Sequence, residues 1–249
     1  MPYFEIVAHR GVPTQAPENT IPSFERAIDL GADAVELDVR LTRDQVPVVY
    51  HYFYLDEVTP LSGPIFDYTY NQLKNVEVLS ASGNSNGGCR ISTLREILDT
   101  LGGRIDLEIE IKGPEPDSSR IIGSILHNYK HLWPTIEITS YEPTLLLDIR
   151  KLCPDLPTDL LFPRSEEWMG LDVIAYVAAH RAKLAGARAV HLHPSQLSSD
   201  VVSTVRAHGV DIHAWDVNDE ESLKRITKLG IPKVCTDELQ CAIDFRRLI

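Results

Sequence analysis

The sequence predicts an α/β protein built as a closed (β/α)8 TIM barrel, with a small insertion between the second strand and its helix. Three observations carry this expectation. Strand-like runs alternate with helix-like segments from end to end, giving eight strand–helix units, and repeated βα units imply a parallel sheet. The 249 residues match the length of one such barrel. The stretch after the first strand, AHRGVPTQAPENT, has one glycine and two prolines, whereas an open dinucleotide-binding sheet would place GxGxxG there. No linker or boundary interrupts the chain, so residues 1–249 read as a single domain.

FEIVAH (4–9) is the first strand. IPSFERAIDLG (21–31) follows as a helix, with Thr20 as N-cap, Pro22 in the first turn and Gly31 at the C-terminal cap. AVELDVRL (34–41) and VPVVYH (46–51) form a hairpin across a TRDQ connection. Residues 52–91 are the insertion, rich in Gly, Ser, Asn and Pro, including ASGNSNGG (81–88), and read as loop. STLREILDTLGG (92–103) is the second unit's helix, capped by Ser92 or Thr93. Strands at 106–112, 136–140, 157–162, 187–193, 210–217 and 232–237 then alternate with helices near 118–131, 143–151, 172–185, 196–208, 219–229 and 238–247.

Charge narrows the function. There are 24 basic and 36 acidic residues, a net −12, and no Lys/Arg stripe of the kind a polyanion requires, which argues against nucleic acid. A small anionic substrate would need a local positive centre. No run approaches the roughly 18 apolar residues of a membrane span, and the N-terminus lacks the pattern of a signal peptide. Cys89, Cys153, Cys235 and Cys241 form no CxxC and read as free thiols in a reducing compartment, the cytoplasm.

In such barrels the chemistry gathers at the C-terminal ends of the strands. Those ends carry His9, Arg10, Glu36, Asp38, Lys112, Ser140, His193, Trp215, Asp216, Thr236 and Asp237, with His51 ending the hairpin strand. Period two places Glu36 and Asp38 on one face of their strand, and Glu108, Glu110 and Lys112 on one face of theirs. Buried carboxylates so clustered must protonate, pair or bind a cation. An all-oxygen set suits a hard divalent cation, Mg²⁺ or Ca²⁺. A salt-bridged network around Lys112 and Arg10 is the alternative. His9 and His51 each end an apolar strand beside the carboxylates, where a histidine pair suits acid–base work. His191, His193 and His213 are weaker candidates, and His127, His131, His180 and His208 fall on helices as solvated or capping residues.

HRG (9–11), PENT (17–20), ELDV (36–39), VPVVYH (46–51), STLREIL (92–98), IEIK (109–112), HAWDVN (213–218) and CTD (235–237) together resemble the glycerophosphodiester phosphodiesterase family, in order and over nearly the whole chain. The resemblance implies a barrel that hydrolyses glycerophosphodiesters to glycerol 3-phosphate and an alcohol with a divalent cation. It implies Glu36, Asp38 and Glu110 as metal ligands and His9 and His51 as general acid and base. Arg10 and Lys112 would hold the phosphate oxygens, Glu18 and Asn19 would support the site, and Trp215 would wall the pocket.

The chain departs from the family pattern in places. Tyr52 stands where Asp usually follows the second histidine, Glu57-Val58-Thr59 where Arg-Thr-Thr is usual, Asp44-Gln45 where the hairpin reads Asp-Gly, and Asp216 where Thr is common. Two further readings follow. One is a lysophospholipase D-like enzyme, whose acyl chain would lie on Tyr52, Phe53, Tyr54, Phe66, Tyr68 and Tyr70. The other is a catalytically weak barrel that binds a phosphorylated ligand.

Overall fold

A computed structural model describes residues 4–80 and 88–249; Met1–Tyr3 and all of the ASGNSNGG run but its last glycine lie outside the described residues. The elements of the first half are β1 (Glu5–Ala8), α1 (Ile21–Leu30), β2 (Ala34–Leu41), β3 (Pro47–Val49), α2 (Tyr70–Leu73), α3 (Leu94–Leu101), β4 (Asp106–Ile111) and α4 (Ser118–His127). The second half runs β5 (Ile136–Ser140), α5 (Pro143–Leu152), β6 (Thr158–Leu161), α6 (Leu171–Ala185), β7 (Ala189–Leu192), α7 (Ser199–Ala207), β8 (Asp211–Ala214), α8 (Glu220–Lys228), β9 (Lys233–Thr236) and α9 (Leu239–Leu248). Every strand but β3 is parallel to its neighbours, and β1 pairs with both β2 and β9, which closes the barrel. β3 lies antiparallel on β2, with Val39 opposite Val49. None of the described helices is long and apolar enough to cross a membrane.

The helices form as their ends and apolar faces dictate. Gly31 terminates α1 in the left-handed region, φ 90°, donating to Ala27 and Ile28 carbonyls. Thr20 occupies the N-cap, yet its hydroxyl donates to the Pro17 carbonyl and caps nothing. Thr93 is the cap of α3, in a reciprocal box with Glu96. The helix expected over 118–131 stops at His127, because Trp133 Nε1 takes the Leu126 carbonyl and a 3₁₀ turn follows over Lys130–Thr135. The hairpin turn places Gln45 at φ 61°, a left-handed position that costs a side-chain-bearing residue about 1 kcal/mol or more.

The insertion is more ordered than a loop. Val48, Tyr50, Leu55, Val58, Ile65, Leu73, Val78 and Ile91 form a small buried cluster of their own. Short 3₁₀ turns at Leu55–Glu57 and Ile65–Asp67, together with α2, carry it. Elements of three or four residues leave no periodicity in a sequence, which is why the segment reads as loop.

Alternation along the strands sorts the rest. Val35, Leu37 and Val39 of β2 and Leu107, Ile109 and Ile111 of β4 turn outward into the main apolar core between sheet and helices. The opposite face is charged. Glu36 lies opposite Glu108, Asp38 opposite Glu110, and Glu108 opposite Glu137. So the barrel interior, usually filled by branched apolar residues, is ionic here.

Deep in this interior the charge is neutralised by protein groups. Lys233 Nζ bonds Glu137 and lies 3.3 Å from Glu108 Oε2. Arg188 Nη2 lies 2.7 Å from both Glu137 Oε2 and Asp159 Oδ2. His191 and His213 close the cluster against Asp159, at 3.4 and 3.3 Å. Burial opposes ionisation of Glu137, but Lys233, His213 and His191 together outweigh it and draw its pKa down to about 2. Asp159 is likewise held well below its ordinary range, because its bonds to His191, His213 and Arg188 outweigh its burial. Burial wins at Glu108, which is pushed up to about 7.

These shifts predict an acid limb. Carboxylates with lowered pKa values stabilise the fold fully above their unfolded values, and that stability disappears as pH falls through the folded ones. Glu108 works the other way: it is already protonated in the fold and takes up its proton in the unfolded chain only near its ordinary value of 4.5, so it offsets part of this loss at the upper end of the range. Urea unfolding measured from pH 5 down to pH 2 should lose on the order of 3 kcal/mol from Glu137 alone. A flat profile would contradict this account of the buried network.

Candidate active site

The mouth of the barrel gathers residues from β2 and β4 and from the segments that follow β1, β3, β5, β8 and β9. Arg10 and Asn19 both adopt left-handed backbone, at φ 54° and 56°, in the loop after β1. Their positions are stitched: Asn19 N donates to the Arg10 carbonyl at 3.1 Å, and the Arg10 amide donates to Glu36 Oε2 at 3.1 Å. Asp216, after β8, is a third non-glycine residue in this region, at φ 60°. Such backbone concentrates at functional sites because surrounding bonds must hold it there. Gly11 makes the first turn possible. It has φ 89°, and a Cβ there would meet Ser23 Oγ at 2.4 Å and the Ser23 carbonyl carbon at 2.7 Å.

Glu36, Asp38 and Glu110 are buried, and each offers an oxygen within 4.8 Å of the others'. Asn19 orients Asp38 through both amide ends, donating from Nδ2 at 2.8 Å and accepting the Asp38 N–H at 3.1 Å. Arg10 Nε lies 3.2 Å from Asp38 Oδ2 while its Nη1 bonds Glu18 Oε1 at 3.1 Å. Lys112 Nζ sits 2.9 Å from Glu110 Oε1 and 3.3 Å from Asp38 Oδ1. Burial would raise Asp38, but Lys112 and Arg10 prevail and hold it well below the usual carboxylate range. Glu36 goes the other way, raised by burial and by its neighbours Asp38 and Glu110. Glu110 is pushed up to about 7, chiefly by burial.

The two histidines stand in different surroundings. His9 Nδ1 is 2.6 Å from Asp237 Oδ1, and its Nε2 is 3.9 Å from Glu36 Oε2. Asp237 is held in turn by Asn218 Nδ2 at 2.9 Å. A carboxylate on Nδ1 fixes the ring's orientation and its tautomer. His51 has no such partner: its Nδ1 is buried without a hydrogen bond among the described residues. Burial lowers its pKa to about 3. The Tyr52 ring stands edge-on to it at 4.7 Å, and the Tyr52 hydroxyl donates to Glu18 Oε2 at 3.4 Å.

All ten residues predicted from the sequence converge on this mouth. His9, Arg10, His51, Glu110, Lys112 and Trp215 line one cavity of about 290 Å³, together with Tyr141, Asp216 and Asp237. Glu36 and Asp38 lie at its floor, and Glu18 and Asn19 brace Arg10 and Asp38. Trp215 is fixed by its indole N–H, which donates to the Phe162 carbonyl at 3.2 Å. The weaker histidine candidates lie elsewhere. His191 and His213 belong to the deep network, and His193 packs against Trp215 and caps a 3₁₀ turn. Sequence reading placed Asp237 at a strand end without giving it a part. The signal was CTD beside HAWDVN, but the contact spans 228 residues of chain.

The comparisons agree with this geometry. The model of the glycerophosphoryl diester phosphodiesterase family matches residues 9–240. The chain belongs to that family. A glycerophosphodiester phosphodiesterase of Caldanaerobacter subterraneus subsp. tengcongensis is 31% identical, over 97% of each chain. An Oleispira antarctica phosphodiesterase, solved with sn-glycerol-3-phosphate as product, superposes with a TM-score of 0.83 at 26% identity, covering 97% of this chain and 96% of that one. The Thermotoga maritima glycerophosphodiester phosphodiesterase superposes at 0.76 with 25% identity, over 98% and 99%.

The Gly11 geometry yields a direct test. Gly11→Ala should destabilise the protein by roughly 1–3 kcal/mol, through left-handed strain and the forced shift of Ser23. Thermal unfolding reads it. An unchanged Tm would show that the loop does not need this backbone.

Proposed function

We propose that the chain is one catalytic domain that hydrolyses glycerophosphodiesters to glycerol 3-phosphate and an alcohol, with a divalent cation, Mg²⁺ or Ca²⁺, held by Glu36, Asp38 and Glu110. The observation that carries the reading is the single cavity lined by two histidines and two cations above three buried carboxylates. The carboxylates fit a hard cation. Asp38 Oδ1 and Glu110 Oε1 are buried with no hydrogen bond among the described residues, and their one cationic neighbour, Lys112, is shared between them at 3.3 and 2.9 Å. Once bound, the cation would polarise a phosphoryl oxygen and offset the charge that builds on it.

The chain's own groups do the rest. Five carboxylates, counting Glu18 and Asp237, face two fixed cations, so Arg10 and Lys112 stay charged and present N–H donors to the phosphate oxygens. One histidine accepts the proton of the attacking hydroxyl, and the other donates one to the leaving alkoxide. Asp237 keeps His9 turned so that Nε2 faces the cavity. Lys112 would keep the phosphate in place, while Asp38 and Glu110 would hold the cation beside it. The net charge of −12 fits a small-molecule diester better than nucleic acid, and we read the protein as working in the cytoplasm.

The lipid-substrate reading draws on Phe53 and Tyr54, both exposed beside the mouth. Tyr68 and Tyr70 do not support it, since they pack against the insertion's own cluster. Purified protein should release glycerol 3-phosphate from glycerophosphocholine with Mg²⁺ or Ca²⁺, and chelator, His9→Ala or His51→Ala should abolish release. Faster cleavage of lysophosphatidylcholine would favour the lipid substrate, and no turnover with any common divalent ion would favour a binding protein. Asp237→Asn should keep the fold and lower kcat by about 10²-fold, because His9 loses its orienting carboxylate. Unchanged kcat would remove Asp237 from the mechanism.

A further inference from the structure

One buried cation has no counter-ion. Arg40 of β2 is only 6% exposed, yet no carboxylate among the described residues forms an ion pair with it. Its Nε donates to the His51 carbonyl at 2.7 Å and its Nη1 to the Gly113 carbonyl at 3.3 Å. The guanidinium lies flat on the Phe53 ring, 3.8 Å from its centre. Those bonds use two of five N–H donors, and Nη2 finds no acceptor among the described residues. Arg40 therefore keeps unused N–H donors and no carboxylate, and a ligand anion would supply both an acceptor and a counter-charge.

Arg40 faces an opening. A second cavity of about 440 Å³ is lined by Arg40, Tyr52, Phe53, Tyr54 and Glu57. It shares His51, Glu110, Lys112 and Tyr141 with the cavity of the two histidines. A phosphodiester has two arms, and the shared wall carries the Lys112 cation where its phosphate would sit. One arm would therefore enter the chamber of His9 and Trp215, and the other the chamber of Arg40. Glu57, on the rim of the latter, makes no ion pair or hydrogen bond among the described residues. Aromatic rings and a free carboxylate favour an ammonium, whereas a guanidinium fork favours a carboxylate or phosphate.

We propose that this second cavity holds the alcohol arm, and that Arg40 and Glu57 select a zwitterionic alcohol, with its anionic group on Arg40 and its ammonium at Glu57. An alcohol of the serine type meets both requirements; choline, ethanolamine and glycerol leave Arg40 unpaired. The inference rests on the hydrolytic reading for the position of the phosphate. Arg40 also ties the His51 carbonyl to the loop at Gly113, so a loss of overall rate in its variants is not diagnostic. Discrimination between substrates is.

The test compares glycerophosphoserine, glycerophosphoethanolamine, glycerophosphocholine and glycerophosphoglycerol. Each is followed by kcat/KM with the wild-type protein and by calorimetric binding to the His9→Ala protein, both with Mg²⁺ or Ca²⁺. The serine ester should lead in both by about tenfold or more. Arg40→Gln should erase its lead over the ethanolamine ester while leaving the ethanolamine-to-glycerol ratio within about twofold. Glu57→Gln should erase the lead of the ethanolamine and choline esters over the glycerol ester and narrow that of the serine ester. Four esters cleaved and bound alike overturn the inference and leave the hydrolytic reading standing, as does an Arg40→Gln protein that slows all four equally. Binding led by the serine ester without turnover supports the alcohol site and overturns the hydrolytic reading. Absence of both binding and turnover overturns the two together.

Discussion

The constraint on which the structure depends is charge placed inside a closed barrel. Eight parallel strands turn alternate side chains inward, and β2, β4 and β5 turn glutamates and an aspartate there. Such groups cannot be left to solvent, and each must be protonated, paired or coordinated where it stands. The deep half of the interior does this with its own residues, Lys233 and Arg188, backed by His191 and His213. The deep half thus resembles a finished salt-bridge network. The mouth is left short: Arg10 and Lys112 hold Asp38 ionised, while Glu36 and Glu110 are driven toward their protonated forms. A divalent cation with a monoanionic diester would complete the upper half, as Lys233 and Arg188 complete the lower one.

Much of this was legible in the sequence because it follows from period two. AVELDV and DLEIEIK state which residues face inward, and the flanking HRG and VPVVYH state where the histidines emerge. The barrel's closure, its eight units and the strand-end residues of the mouth come from such local patterns, while Glu18 and Asn19 come only from the family resemblance. What was not legible depends on contacts far apart in the chain. Asp237 meets His9 across the β1–β9 seam, and nothing local to CTD indicates it. His191 and His213 share the inward register of the catalytic strands but sit too low on them, a distinction that strand alternation alone does not contain. The satellite cluster of the insertion was hidden for a different reason, its elements being too short to show a period.

The departures from the family pattern take on physical meaning once placed. Gln45 keeps the left-handed hairpin turn at some cost in strain, which accounts for the usual glycine there. Tyr52 removes a carboxylate beside His51 but keeps a hydroxyl that reaches Glu18, and Glu18 in turn holds Arg10. The replacement therefore places its support on the Glu18–Arg10 pair instead of on the histidine. His51 is left with a buried, unbonded Nδ1, while His9 retains its carboxylate. The two histidines are thus unequal in this chain, and the inequality originates in one residue of HYFYLDEVT.

The same stretch alters the alcohol side. Replacing a basic residue by Glu57 puts a negative charge on a rim whose inner wall already carries Arg40 and Lys112. Had position 57 remained basic, the second chamber would have been cationic throughout and would have favoured a purely anionic arm. With Glu57 present, the chamber has a positive inner end and a negative outer end, separated by the rings of Phe53 and Tyr54. A long acyl chain would cover that buried guanidinium with hydrocarbon and leave its charge unanswered, at a cost of several kcal/mol. A short arm carrying both charges would answer both ends. The sequence change that would weaken a phosphate site therefore bears on the other half of the proposed substrate, because Arg10 and Lys112, which would hold the phosphate, are not touched by the change.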